Sequence, residues 1–124
     1  MKLTLNVLPQ DFAIVQLPSN EDVPDWLTGD FYSITQTSEE LSIVCEQSIV
    51  PGNIKKDTNW KALKIQGQLD FSLVGILENL SSTLAQGGVS IFTISTYNTD
   101  YVFVKNKDLE KAITLLKAAG HTVE

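Results

Sequence analysis

Apolar and polar residues alternate along the first half of the chain in the manner of short β-strands. Every second residue between 2 and 8 is apolar, which is the period of a half-buried strand. Residues 12–17 predict a second, more fully apolar strand, and residues 31–37 and 41–46 predict a hairpin. The polar stretch 19–28 predicts a short helix. The expected order of elements in the first half is therefore β-β-α-β-β.

The second half begins after a linker and changes to a helical period. Residues 48–59 contain Pro51-Gly52-Asn53 and other turn-favouring residues, which predicts a linker. A strand over residues 63–69 then leads into a helix with Ser72 as its N-cap. Its leucines are spaced four, three and four residues apart, so they share one helical face. These leucines are Leu73, Leu77, Leu80 and Leu84.

The remaining elements complete a recognisable order. Residues 89–95 and 100–105 predict two strands, residues 109–119 a second helix, and residues 121–124 a terminal strand. The order β-α-β-β-α-β is that of a ferredoxin-like unit, an antiparallel sheet with both helices on one face. We therefore expect an α+β protein with two ferredoxin-like units, a divergent one over residues 1–59 and a complete one over residues 60–124.

Charge and composition narrow the possible partners. The 124 residues include nine lysines, no arginine and fifteen carboxylates, for a net charge of −6. An acidic chain without a basic stripe is a poor candidate for binding nucleic acid or an anionic membrane surface. No apolar run approaches the roughly 18 residues of a membrane span, and the N-terminal residues lack a signal-peptide pattern. These features predict a soluble cytoplasmic protein.

The residues that carry catalysis or bind metals are scarce. One cysteine, Cys45, and one histidine, His121, cannot form a disulfide or a zinc site of the usual kind. The same two residues are the only possible Cys–His pair, but Cys45 lies in an apolar strand and His121 near the end of the sequence. No nucleophile elbow, phosphate-binding loop or dinucleotide fingerprint is present. The sequence predicts a protein that is not an enzyme and needs no metal or cofactor.

A first candidate binding feature lies at the start of the first helix of the second half. The first N–H groups of a helix lack intrahelical partners, and the helix dipole favours an anion there. Gly75 has no Cβ that would keep a ligand from the backbone. Alternatively, Ser72 is only an N-cap and Gly75 only a helix-packing contact. In the first interpretation, the helix start marked by Ser72 and Gly75 suits a ligand carboxylate.

A second candidate feature is a cluster of short polar residues between two apolar strands. Aspartate is depleted in strands, so Asp100 is unusual where Val102 and Val104 follow on its face. Its carboxylate could bind the cationic group of a ligand. Alternatively, Asp100 caps the backbone of a turn. The short polar residues of this cluster are Ser95, Thr96, Asn98, Thr99 and Asp100.

These two segments resemble the ACT domain of the CASTOR type. The matching stretches are Phe71-Ser72-Leu73-Val74-Gly75-Ile76-Leu77 and Ser95-Thr96-Tyr97-x-Thr99-Asp100-Tyr101. Domains of this type occur in small bacterial tandem-ACT proteins and in the cytosolic CASTOR arginine sensors of animals. The resemblance covers residues 60–123 well and residues 1–59 only in outline.

The resemblance implies a βαββαβ module that binds an amino acid where two ACT units meet. It implies backbone contacts to the ligand from residues 72–76, with Ser95, Thr96, Thr99 and Asp100 lining the same region and Asp100 contributing to recognition. The arginine sensors contain four ACT units, whereas this chain has material for two at most. A complete site between subunits would therefore need a homodimer.

Two functions from different classes follow. The first is a non-enzymatic regulatory or sensor protein that binds an amino acid or a related metabolite. The alternative is a structural dimerisation module whose ligand cleft has degenerated. An enzyme of unknown type is a third possibility that no nucleophile–base pair supports.

Overall fold

The computed structural model describes residues 2–66 and 75–124. These residues form a mostly antiparallel sheet and two α-helices, which confirms the α+β class. The elements are β1 (Thr4–Val7), β2 (Phe12–Leu17), β3 (Tyr32–Gln36), β4 (Leu41–Glu46), β5 (Lys56–Ile65), α1 (Ile76–Gln86), β6 (Ile91–Ser95), β7 (Asp100–Lys105), α2 (Leu109–Ala118) and β8 (Thr122–Val123), with 3₁₀ turns at Gln47–Ile49 and Asn106–Asp108. No helix in the described part of the chain is long and apolar enough to cross a membrane.

The chain divides into two compact units. The helical unit consists of residues 1–9 and 61–124, and the strand unit of residues 10–60. The prediction divides the chain after residue 59, and the strand unit ends at residue 60. The first nine residues, however, fall in the helical unit because β1 pairs antiparallel with the second half of β5 and parallel with β8. The sequence placed them in the first half because strand pairing over such a distance leaves no local pattern.

The helical unit has the ferredoxin-like order of elements, and β1 is an additional strand in its sheet. The sequence β5-α1-β6-β7-α2-β8 is β-α-β-β-α-β, and β7 pairs with both β5 and β6. β1 lies between β5 and β8 in the sheet. Both helices pack on one apolar core, because their buried residues cluster with those of the strands. The buried core residues are Leu5, Leu63, Ile65, Ile76, Leu80, Leu84, Val89, Val102, Val104, Ala112 and Leu116.

Helix α1 begins later than the leucine spacing predicts. The helix starts at Ile76, and Gly75 occupies the N-cap position with a left-handed backbone (φ 83°). Leu80 and Leu84 are fully buried on the predicted face. The prediction of Ser72 as N-cap is wrong, because the cap is Gly75; Ser72 itself lies outside the described residues. A glycine reaches the left-handed region without a steric penalty, so here backbone geometry determines where the helix begins.

The strand unit contains strands without an α-helix in its described residues. Its strand order is β3-β4-β2-β5, all antiparallel. A core of Val15, Leu17, Leu41, Ile43 and Cys45 is covered by loop residues. The covering residues, all partly buried, are Trp26, Leu27, Ile49, Val50 and Ile54.

The short helix predicted over residues 19–28 is wrong. These residues form isolated turns, in which Glu21 N–H donates to the Pro18 carbonyl (3.1 Å) and Leu27 N–H to the Pro24 carbonyl (3.2 Å). Pro24 has no N–H to contribute to a helix, and acidic and polar residues around it favour turns over a helical interior. Trp26 and Leu27 instead cover the core of the strand unit.

The predicted linker over residues 48–59 ends in a strand. β5 begins at Lys56 and contains a β-bulge, because Ile14 pairs with Asp57 while Phe12 pairs with Trp60. Asn59 lies in the bulge with a left-handed backbone (φ 67°), which asparagine tolerates better than most residues. Its N–H donates to Gln47 Oε1 at 2.7 Å. The polar composition that predicted a linker is that of an irregular, half-exposed strand.

Candidate functional site

The polar cluster predicted from the sequence forms the tip of the β6–β7 hairpin. Ser95 and Asp100 are the last paired residues of the two strands. Thr96 N–H donates to the Thr99 carbonyl at 2.8 Å and closes the turn around the exposed Tyr97. The structure thus brings four of the predicted site residues together, namely Ser95, Thr96, Thr99 and Asp100.

Asp100 is held by a side chain on the opposite strand. The Ser95 hydroxyl donates a hydrogen bond to Asp100 Oδ1, and Asp100 is half-buried at the first position of β7. A carboxylate has about four acceptor positions on its two oxygens. Asp100 therefore keeps the capacity to accept hydrogen bonds from a cationic ligand group while Ser95 fixes its orientation.

The two threonines of the hairpin have structural roles. The Thr96 hydroxyl donates to the Thr99 carbonyl (3.1 Å) and accepts from Thr99 N–H (3.3 Å). The Thr99 side chain is only 4% exposed, and its hydroxyl donates to the Ile65 carbonyl at 2.8 Å. Thr99 thereby fastens the hairpin tip to the last residue of β5.

The other candidate feature, at the start of α1, is described only in part. Ser72, Leu73 and Val74 lie outside the described residues. Gly75 is exposed, and a Cβ added to it would meet nothing within 4 Å. The glycine is required by its left-handed backbone rather than by a close helix contact. The Ile76 side chain is 7% exposed and belongs to the core, so only its backbone N–H could serve a ligand.

The two features belong to the same unit and are linked through β5. Ile65 ends β5, the chain continues from it to α1, and Thr99 binds the Ile65 carbonyl. The N-terminus of α1 carries the positive end of a helix dipole, whereas Asp100 provides a carboxylate. Glu78, exposed in the first turn of α1, already places one negative charge near this helix end. The helical unit thus has a positive helix end and a carboxylate on elements that β5 links.

The sequence analysis missed a buried polar network beside α1. His121 is 4% exposed; its Nδ1 accepts a hydrogen bond from Leu3 N–H (3.1 Å), and its Nε2 lies 3.0 Å from Asn79 Oδ1. Burial, followed by the positive charge of the amino terminus, lowers the pKa of His121. One sequence signal was present. His121 lies two residues before Val123, so in a strand both face the same side, and Val123 packs against the core of the helical unit.

Cys45 does not have the properties of a nucleophile. The side chain is fully buried in the core of the strand unit. Burial, with a smaller effect from the charge of Glu46, raises the pKa of the Cys45 thiol to about 11. A neutral thiol is a poor nucleophile. Cys45 and His121 also fall in different units.

Comparisons with protein-family models give two matches. A model described as ACT domain matches residues 55–118, which is more than half of the chain. A second model, of an N-terminal domain, matches residues 10–53 and so falls within the strand unit.

Individual relatives agree with these matches. The human protein CASTOR3P is 29% identical over an alignment of 92 residues that covers 64% of this chain and 56% of that protein, so the chain spans about half of that relative's length. The crystal structure of protein Atu0741 from Agobacterium tumefaciens has a TM-score of 0.94 and 37% identity, covering 100% of this chain and 93% of that one. The regulatory subunit of aspartate kinase from Thermus thermophilus shares the fold, with a TM-score of 0.61, 11% identity and coverage of 94% and 96%.

Proposed function

Because the chain belongs to the ACT-domain family, we propose that it is a non-enzymatic regulatory protein that binds an amino acid at an interface between ACT units. The similarity to CASTOR3P and the family match over residues 55–118 together confirm the resemblance to ACT domains of the CASTOR type. The observation that carries the proposal is the half-buried Asp100, oriented by Ser95 at the tip of a hairpin that Thr99 fastens to β5.

The chemistry of an α-amino acid suits the two candidate features. Its carboxylate would accept hydrogen bonds from the predicted backbone donors of residues 72–76, of which Gly75 and Ile76 begin α1, and its ammonium would donate to Asp100. Hydrogen bonds to charged groups contribute about 1.5–3 kcal/mol each.

A regulatory role further requires that ligand binding shifts an equilibrium between two states. We propose that the two states differ in the pairing of ACT units in a homodimer, and that the protein is soluble and cytoplasmic, without a nucleic-acid or membrane partner. The fold shared with the regulatory subunit of an aspartate kinase supports this proposal by analogy.

One observation favours the alternative of a structural dimerisation module. The hydroxyls of Ser95, Thr96 and Thr99 all make hydrogen bonds inside the helical unit. A degenerate cleft would keep such bonds for stability alone, whereas a functional cleft also uses Asp100 to bind the ligand.

A thermal-shift screen against the twenty amino acids and common nucleotides at about 1 mM separates the two functions. A ligand present at 100 times its dissociation constant stabilises the protein by about 2.7 kcal/mol. Absence of a shift with every compound would favour the structural module. Sedimentation with and without a compound that scores then tests whether binding changes the oligomeric state.

The role of Asp100 is tested by Asp100→Asn, which keeps an oxygen for Ser95 but removes the charge. We expect this variant to bind the amino acid at least tenfold more weakly, because a charge-assisted hydrogen bond becomes a neutral one. Asp22→Asn, at an exposed position of the strand unit, is the matched control and should bind as the wild type does. Equal affinity of the Asp100→Asn variant and the wild type would remove Asp100 from the site.

A further inference from the structure

His121 connects three elements of the helical unit through hydrogen bonds. Its Nδ1 accepts from Leu3 N–H before β1, its Nε2 bonds the Asn79 side chain in α1, and its own N–H donates to the Leu116 carbonyl of α2. We propose that His121 is a pH-sensitive latch that holds the start of α1 against β1 while its imidazole is neutral and releases it when the imidazole is protonated.

The hydrogen bonds fix one protonation state of the ring. Leu3 N–H can only donate, so Nδ1 must offer a lone pair, and the single proton of a neutral imidazole is then on Nε2. From there it is donated to Asn79 Oδ1, 3.0 Å away. Protonation of Nδ1 would replace the bond to Leu3 with two hydrogens facing each other. The latch therefore exists only with the neutral ring.

The groups around the ring do not offset a positive charge. Asn79 presents a neutral amide, and the contacts with Leu3 and Leu116 are made by the backbone. The charged residues on the surrounding elements are all exposed to solvent. They are Lys2, Glu78, Glu110, Lys111, Lys117 and Glu124. Burial of the ring and the positive charge of the amino terminus both lower the pKa of His121, so both favour the neutral ring.

Asn79 transmits the state of the ring to the start of α1. Its backbone N–H donates to the Gly75 carbonyl at 2.9 Å and so forms the first intrahelical bond of α1, while its side chain is held by His121. On the other side of the ring, Thr122 N–H donates to the Leu3 carbonyl at 2.9 Å, next to the Leu3 N–H that binds the ring. Loss of the latch thus loosens both the first turn of α1 and the pairing of β1 with β8.

The direction of the pH effect follows from the lowered pKa. Because the folded protein binds a proton at His121 less readily than the unfolded chain, the stabilisation is complete above about pH 6.5 and is lost as the pH falls below that value. The consequence for ligand binding rests on the proposed function: if α1 donates to a ligand carboxylate, acid should weaken binding together with the latch.

The test is a pH titration of the ligand-free full chain by NMR, following the imidazole nitrogens of His121 and the backbone amides. At neutral pH we expect an unprotonated Nδ1 and a protonated Nε2. On acidification the ring should titrate below pH 6.5, and the amides of Leu3 and Asn79 should shift with the same midpoint. Amides in the strand unit, such as those of Val15 and Ile43, should not follow it.

Two variants sharpen this titration. Asn79→Asp places a carboxylate opposite Nε2 and should move the midpoint upward by about one pH unit or more, because an opposite charge favours the imidazolium. His121→Asn, whose side-chain oxygen can replace Nδ1 as the acceptor for Leu3, should abolish the titration of the Leu3 and Asn79 amides.

Four outcomes would each overturn the latch. These are a ring that titrates at or above pH 6.5, a ring that stays neutral until the chain unfolds, amides of Leu3 and Asn79 that do not follow the ring, and an unchanged midpoint in Asn79→Asp. Because no ligand is present, failure to find one in the thermal-shift screen leaves this proposal standing. Failure of the titration likewise leaves the proposed function standing.

Discussion

The helical unit and the strand unit cover their sheets in different ways. In the helical unit, α1 and α2 contribute fully buried side chains such as Leu80, Leu84 and Leu116 to a core with eleven buried residues among those that the structure describes. The core of the strand unit has five buried residues, and the loop residues that cover it, including Trp26 and Leu27, are only partly buried. A helix brings an apolar side chain onto the sheet at every turn, whereas a loop brings only a few.

The strand unit depends more on individual turn residues as a result. Gly29 has a left-handed backbone (φ 113°), and beside it Asp30 N–H donates to Glu46 Oε2 at 3.0 Å. Asn59, also left-handed, is held by Gln47. The charges differ too, since residues 10–60 carry two lysines and nine carboxylates and the helical unit seven lysines and six carboxylates. Packing of helices stabilises one unit, and specific turns and side-chain caps stabilise the other.

The largest expected effect is the difference between two leucine-to-alanine substitutions, one in a helix that covers the sheet and one in a loop that covers it. Leu84→Ala in α1 should lower the free energy of unfolding by about 3 kcal/mol, because it removes a fully buried side chain and leaves a cavity. Leu27→Ala in the loop cover of the strand unit should cost about 1 kcal/mol, because this side chain is partly exposed in the native state. Denaturant unfolding of both variants measures the difference. Equal losses would mean that loops and helices cover the sheet equally well.

A second comparison tests the dependence on turn residues. Gly29→Ala should lower the free energy of unfolding by about 2 kcal/mol, because its Cβ would collide with the Glu46 carboxylate and break the bond to Asp30 in addition to straining the backbone. Gly75→Ala shares the left-handed backbone but meets open space, so about 1 kcal/mol is expected.

Thermal or denaturant unfolding of the two glycine variants gives both values. Glu46→Gln is the control for the strand unit, since its amide oxygen can still accept from Asp30 N–H and the variant should stay close to the wild type. A larger loss for Gly75→Ala than for Gly29→Ala would contradict the role assigned to the Glu46 cap.

Local patterns predicted the fold where the interactions are local. The bounds of β2, β4 and β7 agree with the predicted strands, because alternation and turn residues act over a few positions. The position of β1 between β5 and β8 could not be read in this way, since it pairs residues that lie far apart in the sequence. The start of α1 was misplaced because Ser72 is a favourable N-cap residue in the sequence. In the structure Gly75 is the N-cap, and its left-handed backbone sets the start of the helix.

In the candidate site, too, the local contacts were predictable from the sequence and the distant ones were not. The hairpin that brings Ser95 to Asp100 was predictable from two apolar strands and a polar turn between them. The bond from the Thr99 hydroxyl to Ile65 was not, because it depends on the packing of β7 beside β5. His121 was set aside for its position near the end of the sequence, although its ring is buried and bonds Asn79 of α1.

The smallest expected effect concerns Thr99, the point where the helical unit uses a side-chain cap as the strand unit does. Thr99→Val keeps the shape of the side chain but leaves the Ile65 carbonyl without its hydroxyl donor, so the free energy of unfolding should fall by about 1 kcal/mol. Thr99→Ser keeps the hydroxyl and is the matched control, with a smaller loss from the missing methyl group. Denaturant unfolding of both variants distinguishes a cap from a merely well-packed side chain, since packing alone would make serine the more damaging change.

The same pair of variants tests whether the Thr99 hydroxyl contacts the ligand. If Thr99 acts only by fastening the hairpin, Thr99→Val should weaken amino-acid binding and hairpin stability together, whereas a loss of affinity at unchanged stability would mean that the hydroxyl binds the ligand directly.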